Sequence, residues 1–199
     1  MAAHELILGG ARSGKSRAAE ARASRWLATP GQQALLLATA LPGDDEMAAR
    51  IARHQADRAA RVPALGTLEV AMPGQPNLAA ALALHSAPHR LLVVDCLTLW
   101  LTQQALPLSG PSAGPFAGPP PTAAAVQAAC DALVAALRAS PGPVLLVSNE
   151  IGLGVLPLGR ETRAFVDALG WLHQAVAAAC ERVTLVVAGC ELNMKEPAR

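Results

Sequence analysis

Eight residues near the N-terminus carry the most explicit chemistry in the chain. Gly9, Gly10, Ala11, Arg12, Ser13, Gly14, Lys15 and Ser16 fit the pattern GxxxxGK[ST], and Lys15 is one of two lysines in a chain that otherwise uses arginine. Glycines let consecutive backbone N–H groups curl around phosphate oxygens, and a helix beginning at the end of the loop adds its positive pole. A compact ammonium on a flexible stem enters such a loop, where a planar guanidinium fits poorly. The pattern predicts a nucleoside-triphosphate cradle, with Lys15 reaching the β- and γ-phosphates and the Ser16 hydroxyl available to Mg²⁺.

Two acids fall where such a cradle needs them. Asp95 closes the apolar run LLVVD. An acid there holds Mg²⁺ through water or caps a following helix, and the cradle favours the first role. Glu150 ends VLLVSNE and reads as a metal ligand, a base for a substrate hydroxyl or a structural group. The guanine-specifying NKxD pattern is absent, since no Asp follows Lys195 two residues on, which disfavours a switch GTPase.

A third feature is a stripe. Glu46, Arg50, His54 and Arg58 recur every four residues. On a helix they share one slowly drifting polar face, while Met47 and Ile51 fall on another and can pack. Arginines on both sides would keep an imidazole neutral and clamp a polyphosphate beside it, which suits attack on phosphorus and a covalent phosphoramidate. Spacing alone favours the plainer alternative, a solvated face with Glu–Arg support at i,i+4. Of the other histidines, His4 lies near the terminus, His85 and His89 fall in an expected loop, and His173 on an expected helix.

These groups need a scaffold that brings them together. The runs ELILGG, ALLLATA, LLVVDCLT, PVLLVSNE and VTLVVAGC read as buried parallel strands, with helices expected over Ser16 to Leu27, Asp44 to Ala60, Thr122 to Ala139 and Arg160 to Ala179. That βαβα order implies an α/β fold with right-handed crossovers and ligands at the C-terminal strand ends. Pro107 to Pro121 is too rich in Pro and Gly for a regular element and reads as a long exposed loop inside one domain spanning 1–199.

Composition narrows the classes. The chain has 199 residues, 52% of them hydrophobic, and a net charge of +1. A sequence-independent nucleic-acid binder or polybasic membrane anchor is disfavoured, and no apolar run reaches the ~18 residues of a membrane span. The N-terminus lacks a signal-peptide pattern. Cys96, Cys130, Cys180 and Cys190 form no CxxC pair and read as buried reduced thiols of a cytoplasmic protein.

Together, GGARSGKS, DDEMAARIxxHxxxR, VVDCLTLWLT and VSNEIGLGVLP, in that order, resemble the bifunctional adenosylcobinamide kinase/adenosylcobinamide-phosphate guanylyltransferase family of cobalamin biosynthesis. The resemblance runs from about Leu6 to Lys195. It implies an α/β, P-loop NTPase-like three-layer fold with a mostly parallel central sheet, commonly assembled as a homotrimer. It also implies two activities: phosphorylation of adenosylcobinamide by ATP or GTP with Mg²⁺, then transfer of GMP from GTP through a guanylyl-histidine. The histidine of the family pattern falls on His54, which reverses the reading from spacing alone. The resemblance also implicates Thr39, Arg58, Glu69 and Asp95 around the nucleotide, and Arg50 joins Arg58 as a candidate partner for the phosphate charge from its place on the stripe. The chain departs from the pattern at Leu65 (commonly Trp), Gln103 (Asn), Leu158 (an acid) and His173 (Asn), positions that could alter corrinoid or subunit contacts. The rival readings are a P-loop kinase for another small molecule and a nucleotide-dependent binding module.

Overall fold

The computed structural model describes residues 3–41, 45–70, 77–105, 122–155 and 157–196. The loop expected over Pro107 to Pro121 lies outside the described residues. In chain order the elements are β1 (Glu5–Gly9), α1 (Lys15–Leu27), β2 (Gln33–Ala38), α2 (Asp45–Arg61), β3 (Gly66–Glu69), α3 (Leu78–His85) and β4 (Arg90–Asp95). There follow α4 (Leu97–Ala105), α5 (Ala123–Ala139), β5 (Val144–Asn149), α6 (Arg160–Ala179), β6 (Arg182–Val187) and β7 (Cys190–Lys195).

The seven strands form one sheet in the order β3-β2-β4-β5-β1-β6-β7. All neighbours are parallel except β6 and β7, which pair antiparallel. The α/β, mostly parallel architecture expected from the alternation of apolar runs and helical stretches is therefore present. Successive strand residues face opposite sides, so Leu6, Leu37, Leu92 and Leu146 pack with α3, α4, α5 and α6. Ile7, Leu36, Val93 and Leu145 face the other way, against Ala18, Ala19 and Ala23 of α1. Three alanines on one helix face let α1 lie close against the sheet, which brings the start of the helix to the strand ends.

Several boundaries differ from the sequence reading, each for a local reason. LLVVDCLT is not one strand: β4 stops at Asp95 and α4 begins at Leu97. The buried Thr39 hydroxyl accepts from Cys96 N–H at 2.8 Å and donates to Cys96 C=O at 2.7 Å, so Cys96 spends its backbone bonds outside the ladder. VTLVVAGC also breaks, because Ala188 and Gly189 both adopt positive φ, the geometry of a two-residue hairpin turn. Its last residue opens β7, and Cys190 is exposed rather than buried. His85 ends α3 instead of lying in a loop. Met47 and Ile51 do not pack into the core, since α2 buries no residue.

One buried ion pair joins the interior strand β1 to α1. Arg22 Nε contacts Glu5 Oε2 at 2.8 Å, with the two side chains 12% and 6% exposed, and its other nitrogens bond Glu191 on β7. Removing one partner of a buried pair strands the other charge, at about 3–5 kcal/mol. Arg22→Ala is expected to lower Tm by roughly 6–20 °C for a chain of this size, measured by circular dichroism. An unchanged Tm would mean that Thr184, which also donates to Glu5, and nearby Arg182 suffice to hold the carboxylate.

Candidate active site

The cradle forms where β1 hands over to α1. Gly9 has no room for a side chain: a Cβ there would lie 2.5 Å from the Val186 carbonyl and 2.5 Å from Ser13 Oγ. Gly14 sits at φ +101°, in the left-handed region that glycine enters at no steric cost. From outside the loop, Gly189 N–H donates to Ser13 C=O at 2.8 Å, so the β6–β7 hairpin buttresses it. Lys15 folds back over the turn, with Nζ 3.1 Å from Gly10 C=O.

Beside the loop opens a cavity of about 620 Å³. Arg12, Ser13, Gly14, Lys15 and Ser16 line one side, Asp95 and Asn149 come from the ends of β4 and β5, and Glu69 from the end of β3. The remaining wall is α2, which contributes Arg50, His54 and Arg58. The stripe read from spacing thus faces a cavity, and Met47 and Ile51 line it too. Helix α2 buries nothing because its inner face looks onto this space. It is tied to α1 by Arg61, which donates to Glu20 at 2.6 Å.

Electrostatics couple the walls. Burial lowers the pKa of Lys15, opposed chiefly by Asp95. Burial raises the pKa of Asp95, opposed by a hydrogen bond from Ser16 and by the charges of Lys15, His54 and Arg58. The Ser16 hydroxyl is thus hydrogen-bonded to the Asp95 carboxyl, and the Lys15 ammonium is near enough for its charge to act on it. The Ser16 hydroxyl and Asp95 carboxylate are hard oxygen donors of the kind Mg²⁺ takes alongside phosphate and water, and they lie together, so the residues fit that ion.

Not every expected residue faces the cavity. Gly9, Gly10 and Ala11 shape the loop rather than line the space. Thr39 is fully buried and its hydroxyl holds Cys96, next to Asp95. Thr39→Val leaves Cys96 N–H unpaired, a cost of about 1–3 kcal/mol. With Asp95 displaced, turnover is expected to fall by about tenfold or more, read from stability and kcat in parallel. Glu150 turns its Oε1 to Gly152 N–H at 2.6 Å and its Oε2 toward His173. Asn149 escaped the sequence reading, although its place at the end of a buried strand is where ligands bind in parallel sheets.

A glycine-rich phosphate cradle between the first strand and first helix of a parallel sheet marks the P-loop class of nucleotide-binding proteins, to which this fold and site conform. Within that class, residues 5–194 match the family described as cobinamide kinase / cobinamide phosphate guanyltransferase, and the chain belongs to that family. It is 46% identical over 191 residues to the bifunctional adenosylcobalamin biosynthesis protein CobP of Pseudomonas aeruginosa, covering 96% of each chain. It is 35% identical over 190 residues to CobU of Salmonella typhimurium, covering 96% of this chain and 98% of that one. The Escherichia coli CobU is 34% identical over 190 residues, with the same coverage. Among the described residues no helix is long and apolar enough to cross a membrane.

Proposed function

We propose that one nucleotide-binding domain catalyses two successive reactions at this cavity: phosphorylation of adenosylcobinamide, then guanylylation of the product through His54. The observation that carries this reading is that His54, exposed on α2, lines the same cavity as Lys15, Ser16 and Asp95. A kinase for another small molecule has no use for a histidine on that wall.

In the first reaction the aminopropanol hydroxyl oxygen of adenosylcobinamide bonds to the γ-phosphorus of ATP or GTP. The bond to the β-phosphate oxygen breaks, the nucleoside diphosphate leaves, and the hydroxyl proton passes to water. Backbone N–H groups of Gly9 to Ser16 and the Lys15 ammonium hold the triphosphate and neutralise charge as it develops. Ser16 and Asp95 would hold Mg²⁺, which when bound supplies further charge neutralisation at the phosphates.

In the second reaction the unprotonated His54 nitrogen attacks the α-phosphorus of GTP, and pyrophosphate leaves. Arg50 and Arg58, one turn to either side on the same face, balance phosphate charge. A phosphate oxygen of adenosylcobinamide phosphate then attacks the same phosphorus, the P–N bond breaks, and adenosylcobinamide-GDP forms. Splitting the transfer replaces one difficult step by two easier ones. Glu69 and Arg12, also on the cavity wall, complete the nucleotide contacts. The family resemblance supports a cytoplasmic homotrimer.

The test is to incubate the protein with GTP labelled at the α-phosphate and quench. A protein-bound label that is stable to alkali and lost in acid identifies a phosphoramidate. A preparation that phosphorylates adenosylcobinamide but takes up no label would overturn the guanylyl-histidine.

A further inference from the structure

Behind the nucleotide cavity, side chains from α4, β5 and α6 join in one buried polar chain. Asn149 N–H donates to Thr98 Oγ1 at 2.8 Å. Thr98 Oγ1 lies 3.0 Å from Ser148 Oγ, which lies 2.7 Å from His173 Nε2. The other ring nitrogen, Nδ1, faces Glu150 Oε2 at 3.6 Å. Thr98, Ser148 and His173 are all buried.

Counting protons gives the chain a direction. A backbone amide only donates, so the Thr98 hydroxyl accepts from Asn149; because the single Ser148 proton goes to His173, Thr98 turns its own proton to Ser148. Ser148 then donates to His173 Nε2, and the imidazole proton sits on Nδ1, facing the Glu150 carboxylate. The reverse direction would set a nitrogen lone pair against that carboxylate. Burial lowers the pKa of His173 against the opposing pull of Glu150, which keeps the ring in the neutral form that accepts at Nε2. Both hydroxyls in the chain donate once and accept once, and a satisfied buried polar network rigidifies what it holds.

What it holds is the end of β5. That strand lies between β4 and β1 in the sheet, with Asn149 level with Gly9 in register and Glu150 N–H donating to Gly9 C=O at 3.1 Å. Asn149 therefore emerges between Asp95 and the phosphate loop, where it lines the cavity. Lys15 and Ser16 of that loop serve the β- and γ-phosphates. A carboxamide there has two N–H donors for a phosphoryl oxygen. His54, the nucleophile toward the α-phosphorus, comes instead from α2.

We propose that His173 is a positioning residue for terminal-phosphate transfer: through Ser148 and Thr98 it holds Asn149 where its carboxamide donates to the transferred phosphoryl group. This rests on the two-reaction reading above. The half-reactions are separable, so each variant is measured twice, by kcat and KM for adenosylcobinamide phosphorylation and by the rate of labelling of His54 from α-labelled GTP. His173→Leu is expected to lower the kinase kcat by about 10–100-fold, the scale of a small misplacement of a reacting group. Nucleotide KM should change far less, and the kinase loss should exceed any loss in labelling by at least tenfold.

His173→Gln, which keeps an acceptor for Ser148, is expected to recover most of the kinase rate. In an Asn149→Ala background, His173→Leu should add little, because both changes act through one side chain. If His173→Leu fails to fold, Ser148→Ala interrupts the same chain at a smaller residue and is read in the same way. Equal losses in both half-reactions, additive losses in the double variant or an unaffected kinase would each overturn the proposal. A wild-type protein that neither phosphorylates adenosylcobinamide nor takes up label would overturn the functional reading itself, a result distinct from all of these.

Discussion

A His54→Ala enzyme is expected to phosphorylate adenosylcobinamide and then stop. The side chain is exposed on a helix that buries no residue, so its truncation should change stability by less than about 0.5 kcal/mol. The phosphate loop, Asp95 and Asn149 are untouched, and the kinase step retains its machinery. The guanylyl transfer loses its nucleophile, and removal of a covalent nucleophile costs on the order of 10⁴–10⁶-fold. Chromatography of a reaction supplied with adenosylcobinamide and GTP should show adenosylcobinamide phosphate accumulating without adenosylcobinamide-GDP. Continued formation of the GDP conjugate would mean direct displacement at the α-phosphorus, with α2 serving only as a wall.

Lys15→Ala should behave in the opposite way and suppress both reactions. Lys15 is 8% exposed and its ammonium is held over the loop by Gly10 C=O, so no neighbouring cation can take its place without entering the turn. Removing a preorganised donor to a reacting phosphate costs about 10²–10³-fold. A second effect adds to the first. Lys15 is one of the groups that counter the upward push of burial on the Asp95 pKa, so its loss moves that pKa further up. Lys15→Arg is not a rescue, since a planar guanidinium does not reproduce a point charge in a tight loop. Parallel assays of phosphorylation and of His54 labelling should fall together. Survival of the labelling reaction would mean that His54 is guanylylated by GTP bound at a second site, separate from the cradle.

The contrast between these variants follows from where each side chain stands. On the proposed reading, Lys15 belongs to a loop that holds the triphosphate in both reactions, and His54 to a wall that only the guanylyl transfer uses. The inference about His173 adds a third position, behind the strand ends, that favours the other chemistry. Two reactions can thus share one cradle and still be separated by substitution.

Some of this was legible in the chain alone. The cradle was, because backbone curvature, the glycines at its ends and the first helical turn are contiguous and need no distant partner. Asp95 was, because an acid at the end of an apolar run is a local signal. His54 was half legible: its spacing predicted a polar face, but whether that face meets solvent or a cavity depends on how α2 sits over the sheet. Strand β3 shows only one partly buried residue in GTLE, and α3, LAAALALH, is too uniformly apolar to show a helical period. The boundary between β4 and α4 was hidden because the hydroxyl that ends the strand belongs to Thr39, 57 residues away in sequence.

By itself, then, the sequence determined the alternation of strand and helix, the phosphate cradle and the residue types able to hold a triphosphate and attack it. Those properties are written in neighbouring residues and in the period of apolar side chains. The tertiary structure decided which strand ends lie side by side, that α2 closes a cavity instead of packing on the core, and that Glu150 faces His173 while Asn149 faces the nucleotide site. Such choices turn on sheet order and register between segments far apart in the chain, where a one-residue shift would exchange the inward and outward faces.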